Sequence, residues 1–284
     1  MTNILNAILN INHFRQNNLK GYATQYLNRI NAVGEQLEYY VKDAFTNSFT
    51  VDQSQKESAY QRVFAYLGNQ NNPPDAILLQ GDAFEIKKMG TPRSILALNS
   101  SYPKDKLYRT DNRLTAECKR CDGGRWLKKD IFYIVGYVAS GILKHLFLIQ
   151  GLCYAADKSI YENMHANLKS QIGSIIRDAG LEAANTVELG RVRRVDPLGI
   201  TEFRLRGMWE IENPMSVFSG IYEFNKEHNF SLCAILKRDK YALYSAVDRN
   251  TIEHTENISV SDVSVRNPNN PAEEMPVKLI TLHW

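Results

Sequence analysis

A β-hairpin signal in the first third of the chain limits the possible folds more than any other feature. The dipeptide Pro73-Pro74 breaks helical structure and is followed by an apolar run of strand length at residues 76–80. A two-residue turn signal, Gly81-Asp82, then leads into a second run at residues 83–89. The pattern predicts a β-hairpin over residues 75–89.

The predicted hairpin carries three ionisable side chains at a spacing that suits metal-dependent chemistry. Side chains alternate along a strand, so Glu85 and Lys87 face one side of the sheet while Phe84 and Ile86 face the core. Asp75, just ahead of the first strand, is brought back toward the second. Two carboxylates of this kind bind Mg²⁺, which can polarise a phosphate and acidify a water. A purely structural Glu85–Lys87 ion pair is the alternative.

Outside the hairpin, helical and strand-like patterns are mixed without a regular βα repeat. The first seventy residues read as helices, including an amphipathic helix over residues 32–45, and residues 159–179 are also helical in pattern. Strands are predicted at residues 129–138 and 144–154, in a hairpin at 191–212, as two short strands within 230–246, and as a brief closing strand at 277–282 after a turn-rich region at 249–276. The mixture predicts an α+β (mixed α/β) fold, and residues 1–284 read as a single elaborated domain.

Charge is distributed unevenly along a chain whose total is close to neutral. The 34 basic and 31 acidic residues leave a net charge of +3. Residues 87–129 contain twelve Lys or Arg against four acids, residues 191–206 contain five Arg against two acids, and residues 248–274 contain six acids against two Arg. Local basic segments allow a nearly neutral protein to bind a polyanion, although ordinary solvated surfaces give similar counts.

The basic segments supply the candidates for DNA contact. In the predicted hairpin at residues 191–212, arginines two positions apart share one face of each arm. A two-stranded ribbon fits the major groove, where Arg pairs with guanine, but phosphate contact or simple solvation would use the same residues. Basic residues near Tyr102 and Tyr108 suit phosphate contact. The candidates are Arg191, Arg193, Arg194, Arg204, Arg206, Lys104, Lys106 and Arg109.

Several classes of protein receive no support. No uninterrupted apolar run reaches the ~18–20 residues of a membrane span, and the first fourteen residues carry no export signal, so we expect a cytoplasmic protein with reduced cysteines. Cys118 and Cys121 form half of a zinc site without a second pair at comparable spacing, which favours a structural role and leaves zinc open. The sequence has no nucleotide-binding loop, dinucleotide fingerprint or His-Glu-x-x-His motif.

The combination of motifs resembles a known class of nuclease. Pro-Asp followed by Glu-x-Lys on a hairpin resembles the signature of the PD-(D/E)xK nuclease superfamily. Four longer runs resemble type II restriction endonucleases of the NgoPII kind, and they occupy residues 34–45, 74–89, 97–108 and 188–214. This resemblance implies a restriction-endonuclease-like core with a central mixed β-sheet flanked by helices.

The resemblance also implies roles for individual residues. Asp75 and Glu85 would be metal ligands, Lys87 the catalytic lysine, and Glu38, at the border of the apolar stripe of its helix, a helper carboxylate. The implied enzyme is a Mg²⁺-dependent homodimer that cuts double-stranded DNA at a short palindrome, GGCC for the NgoPII kind, leaves 5′-phosphates and has a cognate DNA methyltransferase. The alternatives are a repair, junction or RNA nuclease on the same core, and a non-catalytic sequence-specific DNA-binding protein.

Overall fold

The computed structural model describes residues 1–20, 32–69 and 72–284. The α-helices within these ranges are α1 (Ile4–Phe14), α2 (Ala32–Thr46), α3 (Gln53–Val63), α4 (Ala116–Arg120), α5 (Lys158–Asp178), α6 (Pro214–Val217), α7 (Arg238–Ala242) and α8 (Ala246–Glu253). The strands are β1 (Phe64–Asn69), β2 (Asn72–Leu78), β3 (Ala83–Met89), β4 (Leu96–Asn99), β5 (Lys106–Tyr108), β6 (Lys128–Ala139), β7 (Ile142–Gln150), β8 (Glu182–Ala183), β9 (Gly190–Arg193), β10 (Phe203–Leu205), β11 (Trp209–Ile211), β12 (Ser231–Lys237), β13 (Ile258–Asn267) and β14 (Asn270–His283). No helix in these ranges is long and apolar enough to cross a membrane.

A large mixed sheet forms the centre of the molecule. Its strand order is β1-β2-β3-β6-β7-β12-β14-β13, with β5 paired to β6 beside that path. The β3–β6 and β7–β12 pairs are parallel, whereas the other neighbours run antiparallel. Helices flank this sheet, which confirms the predicted mixed α/β class.

The middle strands of the sheet are buried on both faces. On β6, Phe132 and Ile134 pack into the core that includes residues of α1 and α2, while Tyr133 and Val135 pack into a second core on the opposite face. A strand covered on both faces reads as a continuous apolar run rather than as an alternating one. This explains why the sequence shows β6 as a continuous apolar run and β3 as an alternating one.

The predicted hairpin at residues 75–89 is confirmed, with two corrections. Its first strand, β2, begins at Asn72 and contains Asp75, which the sequence placed just ahead of the strand. The reason is β1, which was expected to be helical and instead pairs with β2 along its outer side. The connection to β3 spans residues 79–82 rather than two residues, and Gln80 has a positive φ of 54°.

The predictions for the C-terminal quarter were largely wrong. Of the two short strands expected within residues 230–246, only β12 exists, and it is followed by α7. The region expected to be turn-rich holds α8 and β13, and the brief closing strand is the end of the fourteen-residue β14. Polar residues hide the alternation of β13 because it is an edge strand, and its pairing with β14 determines its structure.

Other elements agree with the sequence. Helices α2 and α5 match the predicted 32–45 and 159–179 to within one residue at each end. Strand β6 exceeds the predicted 129–138 by one residue at each end, whereas β7 ends at Gln150 rather than at the predicted 154. The two strands are joined by Ser140 and Gly141, both with positive φ, as a type I′ turn requires. The hairpin predicted at residues 191–212 is confirmed as the antiparallel pair β9–β10, but β11 leaves it and pairs with β4. Together, β8, β9 and β10 form a separate three-stranded sheet, called the arm below.

The packing of β3 against α2 gives a prediction about stability. Phe84 is 1% exposed, and its ring centroid lies 4.4 Å from that of Phe45 on α2 and 6.4 Å from that of Phe132 on β6. We expect Phe84→Ala to lower the free energy of unfolding by about 3–5 kcal/mol, because it leaves a cavity at this junction. Urea denaturation measures the change.

The matched control is Phe203→Ala on the arm, where the phenylalanine is 54% exposed. Its truncation should change the free energy of unfolding by no more than about 0.5 kcal/mol, as is usual for surface positions. Equal losses in the two variants would contradict the proposed packing role of Phe84.

Candidate active site and nucleic-acid interface

The candidate active site lies where β2 and β3 separate. The two strands are paired only at Ala76–Phe84 and Ile77–Ala83. Beyond this point, Asp75 Oδ2 accepts a hydrogen bond of 2.6 Å from the backbone N–H of Ile86. The carboxylate thereby takes a backbone donor of β3 and is fixed beside that strand.

Glu85 and Lys87 share one face of β3, as the alternation predicted. Lys87 Nζ lies 2.7 Å from Glu85 Oε1, and the two side chains are 23% and 13% exposed, respectively. The second carboxylate oxygen, Glu85 Oε2, is buried and has no hydrogen-bond partner within the described parts of the chain. A buried carboxylate oxygen without a donor is costly, so this atom is suited to binding a cation.

The charges of the cluster perturb one another strongly. Burial, followed by the nearby carboxylate of Glu85, raises the pKa of Asp75 to about 8, although Lys87 opposes the shift. Burial acts to lower the pKa of Lys87, but Glu85 and Asp75 outweigh it and the pKa is raised. Two carboxylates therefore compete for one ammonium, and a further cation would relieve their repulsion.

Glu38 lies on α2 at the edge of this cluster. Its Oε2 is 3.7 Å from the Nζ of Lys42, one turn further along the helix. Burial raises the pKa of Glu38, while Lys42 and then Lys87 act to lower it. Glu38 is thus within electrostatic reach of Lys87 and also contributes to the raised pKa of Asp75. The structure brings all four predicted catalytic residues into one electrostatic unit.

The donor set of this site fits Mg²⁺ better than zinc. Asp75 and Glu85 offer hard carboxylate oxygens, and Mg²⁺ sites commonly use one or two carboxylates completed by waters and substrate phosphate. Across residues 1–20, 32–69 and 72–284, no three His, Cys, Asp or Glu side chains are grouped to hold an ion.

Cys118 and Cys121 are buried free thiols, and burial raises the pKa of Cys118 to about 12. Both thiols lie in a buried apolar cluster that also contains Ile131 of β6.

The turn of the hairpin is attached to a distant part of the chain. Lys240 on α7 places its Nζ 2.5 Å from Asp82, just before β3, and 3.0 Å from Asp130 on β6. Asp130 also accepts from Lys106 at 2.9 Å. Burial acts to lower the pKa of Lys240, but the two carboxylates raise it. This network ties the strand that carries Glu85 to the centre of the sheet.

On the arm, the predicted arginines are paired with glutamates that the sequence reasoning did not identify. Arg191 and Arg204 lie directly opposite each other on β9 and β10. Glu202 binds Arg191 and lies 3.5 Å from the Nε of Arg193, while Glu188 binds Arg204 and also Arg206. The remaining arginine of the arm, Arg194, lies 3.6 Å from Glu182. The signal for these pairs is the cross-strand register, which the linear sequence does not display.

The lysines of the basic segment at residues 87–129 are less available for phosphate contact than predicted. Lys104 is 4% exposed, and its Nζ lies 2.8 Å from Asp111. Burial lowers the pKa of Lys104, whereas Lys104 and neighbouring donors hold the pKa of Asp111 at about 2. Lys106 pairs with Asp130, and the exposed Arg109 donates to the carbonyl of Lys119 at 3.1 Å. A direct phosphate contact by Lys104 would require its ion pair to open.

A cleft of about 850 Å³ connects this segment with the arm. Its walls include Lys104, Lys106, Arg113, Lys158 of α5 and Arg206. Aromatic rings border the same space, and the guanidinium of Arg113 lies 4.0 Å from the ring centroid of Tyr102. The cleft therefore places cations and a flat aromatic surface together.

A mixed sheet flanked by helices, with an Asp, a Glu and a Lys gathered where two of its strands separate, places the chain in the restriction-endonuclease-like class of nucleases. The model of the NgoPII restriction endonuclease family matches residues 2–266. The chain is 44% identical over 282 residues to the type II restriction enzyme NgoPII of Neisseria gonorrhoeae, covering 99% of each chain. No solved structure matches the chain significantly.

This chain belongs to the NgoPII restriction endonuclease family. It is a type II restriction endonuclease, that is, an enzyme that hydrolyses double-stranded DNA at specific sites.

The raised pKa of Asp75 gives a prediction about pH. In the folded protein Asp75 keeps its proton up to a pH of about 8, whereas the unfolded chain loses it near the usual value of 3.8. Unfolding between these values releases a proton, so stability falls as pH rises, by at most about 1.4 kcal/mol per unit. We expect urea denaturation in EDTA to show this fall between pH 5 and 8.

Asp75→Asn isolates the contribution of this residue. An amide oxygen can still accept from the Ile86 N–H but cannot lose a proton, so the variant should show a flatter dependence of stability on pH. Parallel curves for the variant and the parent would contradict the raised pKa of Asp75.

Proposed function

We propose that this enzyme is a Mg²⁺-dependent homodimer that cuts double-stranded DNA at GGCC in the cytoplasm and leaves 5′-phosphates. The main support for Mg²⁺ and for this active site is Glu85 Oε2, which is buried without a donor in the described residues and lies beside Asp75 and Lys87. The sequence GGCC is suggested by the resemblance to the NgoPII kind. Residues 1–284 would act as a single elaborated domain, and a cognate methyltransferase would protect host DNA.

In this proposal, Asp75 and Glu85 hold the metal and Lys87 acts on the attacking water. Bound Mg²⁺ would polarise a phosphate oxygen and acidify a water molecule. The ammonium of Lys87, held 2.7 Å from Glu85 Oε1, would orient that water and stabilise the negative charge that develops at phosphorus. The water would lose a proton as its oxygen bonds to phosphorus, the bond between phosphorus and the 3′ oxygen would break, and the 3′ oxygen would take up a proton.

Glu38 would assist from the helix side of the site. Its raised pKa and its electrostatic coupling to Lys87 suit a carboxylate that accepts or returns a proton near the attacking water. We assign it a helper role, since its nearest ion-pair partner is Lys42 rather than a member of the hairpin.

The arm and the cleft would bind the DNA. The hairpin β9–β10 has the form of a two-stranded ribbon, which fits the major groove, and Arg forms bidentate hydrogen bonds with guanine O6 and N7. A target rich in G·C pairs suits this chemistry. Cutting both strands of a palindrome is achieved most simply by two copies of the chain related by a two-fold axis.

Replacing the proposed catalytic lysine tests the active site. Lys87→Ala should abolish cleavage in Mg²⁺ while preserving binding to the target, because the substitution removes the ammonium and leaves the arm intact. Lys88→Ala is the matched control, since this neighbour is exposed on the opposite face of β3. Cleavage of labelled duplex and gel-shift binding provide the two readouts.

Two results would refute this assignment. Cleavage by Lys87→Ala at the parent rate would show that the active site lies elsewhere. Tight site-specific binding by the parent, with no scission at any Mg²⁺ or Mn²⁺ concentration, would instead identify a non-catalytic DNA-binding protein.

Digestion of plasmid DNA tests the target. We expect unmethylated plasmid to give discrete fragments whose ends map to GGCC and carry 5′-phosphates, and we expect methylation of that sequence to protect it. Discrete fragments that map to another sequence would refute GGCC while preserving site-specific cleavage. A smear would favour a repair, junction or other nuclease on the same core.

A further inference from the structure

The cations predicted to contact DNA are almost all occupied by carboxylates. Seven of the eight have a side-chain nitrogen within 3.6 Å of a carboxylate oxygen. The eighth, Arg109, donates to a backbone carbonyl. These eight side chains are therefore already engaged within the protein rather than free.

Two glutamates on the arm each hold two arginines. Glu188 Oε2 accepts from Arg204 Nε at 2.9 Å, and its Oε1 accepts from Arg204 Nη2 and from Arg206 Nε at 2.6 Å each. Glu202 Oε2 accepts from Arg191 Nε at 2.9 Å and from Arg191 Nη2, while its Oε1 lies 3.5 Å from Arg193 Nε. Each carboxylate thus occupies the nitrogen fork that Arg would offer to guanine or phosphate.

These glutamates remain charged at neutral pH. Hydrogen bonds from Arg204 and then Arg206 lower the pKa of Glu188, and a hydrogen bond from Arg191 lowers the pKa of Glu202. Their negative charges lie on the ribbon itself, where DNA phosphates would have to approach.

The same arrangement continues into the cleft. Glu188 and Arg206 both line it, and its other cations are paired as well: Lys104 and Arg113 with Asp111, Lys106 with Asp130, and Lys158 with Glu162. The pairing is therefore a property of the whole surface that joins arm and cleft.

We propose that Glu188 and Glu202 are specificity-determining residues that compete with DNA phosphate for the arginines of the arm. The inference rests on the proposed function, in which the arm binds DNA. On non-specific DNA, a loose phosphate contact merely replaces a carboxylate contact and brings two anions together, so little is gained. On the target, close base contacts offset the opening of these ion pairs, whose arginines are 31–62% exposed. The glutamates therefore weaken non-specific binding more than specific binding.

Glu188→Gln and Glu202→Gln test the proposal, because Gln keeps the shape and an acceptor oxygen but removes the charge. Binding is measured in the Lys87→Ala background with two duplexes, one containing GGCC and one made only of A·T pairs, between 50 and 200 mM salt. The A·T duplex reports non-specific binding whatever the recognition sequence is. Glu210→Gln, at an exposed position on β11, is the matched control.

We expect each of the two variants to bind the A·T duplex about three- to tenfold more tightly at the low-salt end, with a steeper salt dependence of about one additional released counterion per freed arginine. Binding to the GGCC duplex should change less, so the ratio of specific to non-specific affinity falls. Glu210→Gln should match the parent. Glu202 is the more exposed of the two glutamates, so its variant serves if Glu188→Gln fails to fold.

Two results would overturn the proposal. Unchanged binding to the A·T duplex would show that the glutamates do not compete with phosphate. Weaker binding to the GGCC duplex, with unchanged A·T binding, would show that they orient the arginines or read bases. The double variant Arg191→Ala, Arg204→Ala separates these failures from a failure of the proposed function, because a wrongly assigned arm would leave binding to both duplexes unaltered.

Discussion

The catalytic arrangement depends on the hydrogen bond from the Ile86 N–H to the carboxylate of Asp75. The strands β2 and β3 have already separated at this point, so ordinary sheet pairing no longer sets the distance between them. A side chain replaces the missing backbone acceptor and fixes the first carboxylate beside the strand that carries the other two charged groups. The same separation leaves Glu85 Oε2 buried without a donor in the described residues, which creates the demand for a cation.

Local chemistry made part of the fold predictable. The hairpin of β2 and β3, helices α2 and α5 and the β9–β10 ribbon follow from alternation, helical periodicity and turn residues, and these signals lie within a few neighbouring positions. Strand β13 and most of β14 show no comparable local signal in the sequence. They form strands because β14 pairs with both β12 and β13. The prediction of a second short strand after β12 was also wrong. A few residues can form either a strand or a helix, and at this position they form α7.

In the candidate site, too, local features could be predicted from the sequence and contacts between distant residues could not. The shared face of Glu85 and Lys87 follows from the period of a strand, and the structure places them 2.7 Å apart. The partners of the basic residues could not be predicted, because a count of charge along the chain does not show which acid lies across a ribbon or a cleft. Glu188 lies just outside the segment whose surplus was counted, yet it pairs with both Arg204 and Arg206. Lys104 was predicted to contact phosphate, and it is buried beside Asp111.

The attachment of Lys240 to Asp82 has a consequence for the time at which activity arises during folding. These two residues are 158 positions apart, and the strands β3, β6, β7 and β12 lie side by side in the sheet between them. Contacts of such high sequence separation form slowly because the entropy of closing the intervening chain must be overcome first. We therefore expect a partly folded chain, in which α7 has not yet packed, to lack the anchored hairpin, so the capacity to cut DNA should arise late in folding.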